Sequence, residues 1–369
     1  MRQGYLFALL LILLGFLGKS QSVYYPLSDS DACPSAIELY HFLQGIAGEH
    51  LLFGHHRTEL DGVGWKWKAQ DSLPDRSDVL LSVGDYPAIF SHDFGRGYKV
   101  HIDLIKSANE KGAIVTFSWH LPNLATGSSC YDTTGNVMTR ILPGGDLNQK
   151  FCQELDSIAY VAKALSMRKD GIPIIFRPFH ENTGSWFWWG AKHCSPEVYK
   201  KVFRYTVDYL QHTKGVHNLI YAYSPSKPST NSNEHYLDRY PGDDVVDIIG
   251  FDRYGKDDFS QQLIEDCRLV VDLAEKHHKV AAITEFGISN GIENTKIHDW
   301  YIKCFLDPIM NDSLARKVTY AVTWANRPLH AWVPVPGDIH YEGFLKFYES
   351  SYTWFNRDMK KNYSKKSRR

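Results

Sequence analysis

Eight short apolar runs rich in β-branched and aromatic residues recur along this chain, and each is followed by polar residues and then a stretch with helical spacing of its apolar positions. The runs are "LLFGHH" from 51, "YPAIFSHDF" from 86, "AIVTFSWH" from 113, "PIIFRPFHE" from 173, "LIYAYSP" from 219, "DIIGFDRY" from 247, "VAAITEFG" from 280 and "VTYAVTWAN" from 318. Helices are predicted between and after them near 99–111, 146–168, 196–213, 258–278, 295–310 and 341–357. Strands apolar on both faces that alternate with helices belong in a parallel sheet covered on both sides, and eight such units fit a closed (β/α)8 barrel of the TIM type. The rival is an open doubly wound sheet. That fold favours a Gly-rich phosphate turn after its first strand, and G-x-G-x-x-G follows none of these runs.

The 369 residues are 43% hydrophobic and 22% charged with a net charge of −1, the profile of a globular chain with ample core. Near-neutrality gives no basic footprint for nucleic acid or an anionic membrane, so neither partner is expected. Arg2 precedes the apolar run "YLFALLLILLGFLG" and then "KSQS". That order reads as a secretory signal peptide over residues 1–21, too short to span a bilayer, and implies a secreted, extracellular protein. The barrel is expected over 22–358 as one catalytic domain, and residues 359–369 as a flexible basic tail. A monomer is the default.

Six cysteines, at 33, 130, 152, 194, 267 and 304, permit three disulfides in an oxidising compartment. The barrel layout favours Cys267–Cys304, on neighbouring outer helices, and Cys130–Cys194, in neighbouring loops at the mouth. No Cys-x-x-Cys pair is present, which counts against zinc ribbons and thioredoxin chemistry. "NDS" at Asn311 and "NYS" at Asn362 fit the glycosylation pattern.

The runs are apolar at their starts and end in His55 and His56, His92 and Asp93, Trp119 and His120, His180 and Glu181, Asp252 and Tyr254, Glu285, and Trp324. In a barrel these ends surround one mouth, where barrel enzymes carry their sites. Glu181 and Glu285 stand out, since each closes an otherwise apolar strand. Two carboxylates facing each other across a mouth suit glycosidic bond cleavage: one stays protonated to donate to the leaving oxygen, the other stays ionised to attack the anomeric carbon. Glu285 fits the ionised role, with Tyr254 as a hydrogen-bond donor, and Glu181 the protonated one. Downstream of Glu181, "SWFWWG" supplies rings on which the apolar faces of sugars can stack, and Trp186 is the expected platform. Phe187, Trp188 and Trp189 are read as packing under the fourth loop.

"RPFHENTGSWFWWG" from 177 closely resembles the acid/base motif of glycoside hydrolase family 26. "SWH" on the third strand, "FDRY" on the sixth, "ITEFG" on the seventh and "TWAN" on the eighth agree with it, so the resemblance spans nearly the whole mature chain. It implies a retaining endo-β-1,4-mannanase on a (β/α)8 barrel of clan A, acting on mannan, galactomannan and glucomannan without a metal or organic cofactor. Glu181 would be the acid/base and Glu285 the nucleophile. His180 would orient the acid and contact the sugar next to the scissile bond, and His120, Trp186, Asp252, Tyr254 and Trp324 would bind around the subsite of the attacked sugar. Some members place Arg directly after the eighth-strand Trp. This chain has Ala325, Asn326 and Arg327 there, which leaves the contacts on that side open.

Other chemistries compete. β-1,3-Xylan or mixed-linkage glucan would be cut by the same pair of carboxylates. "GISNG" from 287 matches the nucleophile-elbow pattern and would make Ser289 catalytic, but Ser289 falls four residues past Glu285 and no upstream oxyanion motif accompanies it. His180-Glu181 is followed by Gly184 where a zincin needs its second His. His277 and His278 suit a helix C-terminus. His55, His56 and His92 could be structural groups beneath the mouth or could touch sugar. A non-catalytic polysaccharide-binding protein would keep the rings and need neither carboxylate.

Overall fold

The computed structural model describes residues 24–68, 72–73, 75–95, 98–166, 171–230, 235–256 and 258–363. All eight expected strands form: β1 (Leu51–His56), β2 (Ile89–Asp93), β3 (Ile114–Ser118), β4 (Ile174–Arg177), β5 (Leu219–Tyr223), β6 (Ile248–Gly255), β7 (Val280–Ile288) and β8 (Tyr320–Thr323). Every neighbouring pair is parallel, and β8 pairs back with β1 through Leu52 opposite Tyr320, so the sheet closes into a barrel. Every strand contributes to its interior: Leu52, Ile89, Ile114, Ile175, Ile220, Ile248, Val280 and Tyr320 share one buried cluster, joined by Ala222, Ala282 and Val322 one alternation further along their strands. The alternate residues, such as Phe53, Phe90, Val115, Phe176 and Ile249, belong to the second cluster with the surrounding helices. Gly54 keeps β1 thin where the wall is tight, since a Cβ there would stand 2.8 Å from Val322.

The outer helices follow the predicted ranges closely where periodicity is strong: α2 (Tyr98–Lys111), α3 (Asn148–Ser166), α4 (Pro196–Asp208) and α5 (Phe259–His277). Ser195 caps α4 and Pro196 opens it, while Tyr199, Val202, Phe203 and Thr206 bury one face at helical spacing. His277 is the last residue of α5, and His278 terminates it in the left-handed conformation. Three helices escaped prediction, the short Asp78–Val83 and Val137–Arg140 and one longer. α1 (Pro34–Ile46) places Ala36, Leu39, Tyr40 and Leu43 in the interior cluster, so it plugs the end of the barrel where the strands begin.

Two expectations are corrected. The helix near 295–310 begins at Tyr301 as a π-turn and continues as α6 (Asp307–Asn311). The helix near 341–357 divides into α7 (Tyr341–Glu349) and α8 (Asn356–Asn362), because Thr353–Trp354 pairs in parallel with β1 between them. The start of the expected flexible tail is therefore structured: Met359 is buried and Tyr363 packs on Phe42 with ring centroids 4.7 Å apart. The remaining tail residues and the leader lie outside the described residues. No described helix is long and apolar enough to cross a membrane.

Candidate active site

The chain leaves β4 at Arg177 and turns sharply, with Phe179 (φ 50°) and Glu181 (φ 53°) both in the left-handed region that non-glycine residues enter at a cost of about 1–3 kcal/mol. Three hydrogen bonds hold this turn. Glu181 N donates to Ser224 O at 2.8 Å, Trp189 Nε1 to His180 O at 2.8 Å, and Tyr199 OH to Phe179 O at 3.1 Å. The strained backbone presents Glu181 at the mouth, where Trp186 Nε1 donates to its Oε2 at 2.8 Å. Burial, reinforced by the charge of Glu285, pushes the Glu181 carboxyl up to about 7, so it keeps its proton at near-neutral pH.

Glu285 reaches the mouth through a fault in the sheet. Ala281 and Ile283 pack against the helices, whereas Val280 and Ala282 belong to the interior. Strict alternation would therefore turn Glu285 outward. Between Phe251–Asp252 on β6 and Ile283–Glu285 on β7, however, the register shifts by one extra residue. This bulge puts both Thr284 and Glu285 on the inner side. Thr284 Oγ1 then donates to Asp252 Oδ1 at 2.6 Å, and Glu285 faces Arg177 and Tyr254.

Arg177, which the sequence reading passed over, is the hub of the floor. Its guanidinium is buried and donates to Asp252 Oδ2 at 2.7 Å, Ser224 Oγ at 3.1 Å and Glu285 Oε1. Burial disfavours this cation, but Asp252 and Glu285 override it and hold its proton more tightly than usual. Tyr254 OH donates to the other Glu285 oxygen at 2.9 Å, as expected. Glu285 is thus fixed at both oxygens by donors, the environment an ionised nucleophile needs, while Glu181 sits where a proton is retained. The signal for Arg177 was a lone charge inside the apolar run "IIFRPF".

The aromatic run divides into one platform and its foundations. Trp186 is 41% exposed, and its ring lies over Gly184, where a Cβ would come within 2.4 Å of it. Phe187, Trp188 and Trp189 are buried. Trp188 Nε1 donates to Leu121 O at 2.9 Å, tying the fourth loop to the third, and Phe187 stacks on Trp189 at 4.4 Å. The packing assigned to these three from sequence holds.

The other expected residues converge on the same mouth. His120 meets His180 edge to face at 4.5 Å and Trp324 at 6.0 Å. His180 is buried, and desolvation together with the Arg177 cation keeps its imidazole neutral. Trp324 lies flat on His56, ring centroids 4.2 Å apart and 6° from parallel. His55 and His56 are buried with Nδ1 bonded to Thr58 and Ser91 respectively, and His92 is buried beside Phe117. After Trp324, Asn326 is buried and spans two loops: its amide donates to Asp78 Oδ2 and Val333 O, and its oxygen accepts from Trp332 N and Val333 N. Arg327 beyond it is exposed.

The rival motifs find other employment. Gly287 and Gly291 have positive φ, and a Cβ on Gly287 would meet Trp332 at 2.4 Å, so the glycines around Ser289 serve backbone geometry and packing. Among the described residues, three potential metal ligands gather only at Asp29, Asp31 and His217, on segments that precede α1 and β5 at the opposite end of the barrel. Neither expected disulfide forms, and all six cysteines stand as thiols. Trp188 N does bond Cys130 O, so the two mouth loops are neighbours, but Cys194 Sγ turns to Trp189 O at 3.4 Å and Arg239 at 3.5 Å. Cys267 is fully buried within the packed face of α5.

The model of glycosyl hydrolase family 26 matches residues 28–319. A mannan endo-1,4-beta-mannosidase of Bifidobacterium adolescentis is 38% identical over 330 residues, covering 81% of this chain and 32% of that protein. One from Thermothelomyces thermophilus is 30% identical over 71% of this chain and 52% of its own length. The chain spans about a third to just over half the length of the curated relatives it matches first. Among solved structures, a modular endo-beta-1,4-mannanase from Cellulomonas fimi superposes with a TM-score of 0.83 at 36% identity, over 90% of this chain and 78% of that one. The catalytic domain of a Bacillus sp. JAMB-750 endo-beta-1,4-mannanase gives 0.84 at 34% identity, over 92% and 96%. With the barrel closed, the carboxylates of β4 and β7 at its mouth and the family model matched across that barrel, the chain belongs to glycosyl hydrolase family 26.

Proposed function

We propose that this chain is a retaining endo-β-1,4-mannanase that hydrolyses internal β-1,4-mannosidic bonds of mannan, galactomannan and glucomannan. The observation that carries this reading is the unequal environment of two carboxyls at one mouth. Glu181 is partly buried beside Glu285 and its carboxyl is pushed up to about 7, while Glu285 is gripped by Arg177 and Tyr254. Glu285 attacks the anomeric carbon as Glu181 gives its proton to the departing glycosidic oxygen, which breaks the C–O bond and leaves a glycosyl ester on Glu285. Glu181, now ionised, takes a proton from water. The resulting hydroxide oxygen attacks the same carbon and frees Glu285. Trp186 stacks on the sugar beside the scissile bond, and its N–H orients the acid. The names of the relatives support mannan as substrate. The leader-like "YLFALLLILLGFLG" supports secretion, and a monomer suffices because the mouth is built from one chain.

Product chromatography on linear mannan, galactomannan, glucomannan, β-1,3-xylan and mixed-linkage glucan tests the reading, with Glu285→Ala as the control. Short manno-oligosaccharides from wild type alone, first released as the β-anomer by proton NMR, are expected. Products from xylan or glucan alone would keep the mechanism and replace the substrate. An equally active Glu285→Ala variant, or no products from any polymer, would refute the enzyme assignment.

A further inference from the structure

The mouth contains an aspartate–histidine hydrogen bond that the two-carboxylate mechanism leaves unused. Asp93, the last residue of β2, is largely buried, and one of its oxygens, Oδ2, accepts three hydrogen bonds: from Ser118 Oγ at 2.8 Å, His120 N at 3.0 Å and His120 Nδ1 at 2.6 Å. With Nδ1 committed to a carboxylate, Nε2 is the ring nitrogen left to face the mouth, where the His120 side chain keeps 20% exposure. We propose that Asp93 is a positioning residue of the catalytic centre, holding His120 as an imidazolium whose Nε2–H is aimed at the sugar between Glu181 and Glu285. This deepens the mannanase reading and rests on it.

The charges around His120 decide whether a cation is tenable there. Asp93 faces it from β2, Glu285 from β7, Glu181, His180 and Arg177 from β4 and its loop, and His56 from β1. Burial and Arg177 oppose protonation, and Asp93 and Glu285 favour it. The balance holds His120 above its ordinary range and Asp93 below its own. His180 and His56, more deeply buried and without a carboxylate partner among the described residues, go the other way and are neutral. Of the three histidines that meet there, the one with an aspartate is the one that carries charge. A charged donor bonds a sugar hydroxyl more strongly than a neutral imidazole, and its fixed orientation costs nothing to organise during the reaction.

Asp93→Asn separates charge from geometry, because an amide oxygen in the place of Oδ2 still accepts all three bonds. Histidine imidazole titrations by NMR, with His120→Asn to assign the signal, read the protonation state without any substrate. In wild type the His120 midpoint is expected above that of an ordinary histidine, and in Asp93→Asn it should fall by more than about one pH unit. On β-mannan, kcat should fall about 10- to 100-fold, with KM changing less than about threefold. An unmoved His120 midpoint would overturn the proposal, as would a rise in KM with kcat intact or a loss of melting temperature with kinetics unchanged. Should wild type cleave no mannan, the function reading fails alone, since the titration stands by itself.

Discussion

Replacing Glu181 with Gln should make the protein more stable, and by an amount that grows with pH. The folded chain holds this carboxyl up to about 7 against an ordinary 4.5, chiefly because burial penalises its charge and secondarily because Glu285 lies near. Below pH 4.5 the group is protonated in both folded and unfolded chains and exerts no pull. Between 4.5 and 7 the unfolded chain sheds the proton while the folded one keeps it, so stability drains away as pH rises. Above 7 the folded chain carries the buried charge and the loss is complete. At about 1.4 kcal/mol per pH unit the full loss is about 3 kcal/mol. Gln is neutral throughout and can still accept the Trp186 N–H. The variant should therefore match wild type near pH 4 and exceed it by pH 8. With an unfolding entropy of about 2.1 cal/mol/K per residue, that difference is about 4 °C in melting temperature. Differential scanning fluorimetry from pH 4 to 8 reads the effect directly. A melting difference that is flat with pH, or that falls as pH rises, would refute the raised affinity of Glu181 for its proton and with it the acid role. Activity on polymeric mannan should fall by about 10²- to 10⁴-fold in the same variant.

Arg177→Met should be the costly substitution, because it leaves Asp252 and Glu285 buried without their shared cation; a loss of about 3–5 kcal/mol in denaturant unfolding is expected, together with loss of turnover. Trp186 and Trp188, two residues apart, should behave oppositely: Trp186→Ala lowers kcat/KM about tenfold or more with little change in stability, whereas Trp188→Ala destabilises by about 3–5 kcal/mol. Thiol titration of the unreduced protein in guanidinium chloride should find all six cysteines reactive, and a count short by two, four or six would mean that bridges form.

The barrel was legible because burial on both faces leaves a strong signal. Eight β-branched runs separated by amphipathic stretches fix a parallel sheet, and parallel strands need the crossovers that those stretches supply. Irregular backbone escaped the same reading. α1 lies before the first strand and outside the β/α rhythm, so nothing in the alternation called for it. The Thr353–Trp354 pairing hides inside a stretch whose flanks are helical. The disulfide expectation rested on neighbourhood alone, and neighbourhood is weaker than geometry: the Cys130 and Cys194 loops do touch, yet Cys194 Sγ points at a backbone oxygen.

The site was legible where a polar residue follows an apolar run and obscure where a charge is enclosed by one. Glu181, His120, Asp252, Tyr254 and Trp324 lie near or just past the C-terminal ends of their strands and meet at the mouth. Arg177, the last residue of β4, is buried in the floor and organises carboxylates of β6 and β7, two and three strands on in sequence. Glu285 is the instructive case, because it was found for a reason that alternation contradicts. Read with a period of two from Ala281 and Ile283, it belongs on the outer face among the helices. The inserted residue at Thr284 reverses that, and the reversal also delivers the Thr284 hydroxyl to Asp252, which braces Arg177. One irregularity therefore turns the carboxylate inward and supports the partner that grips it. An ordinary strand could supply the inward carboxylate or that support, and the bulge supplies both.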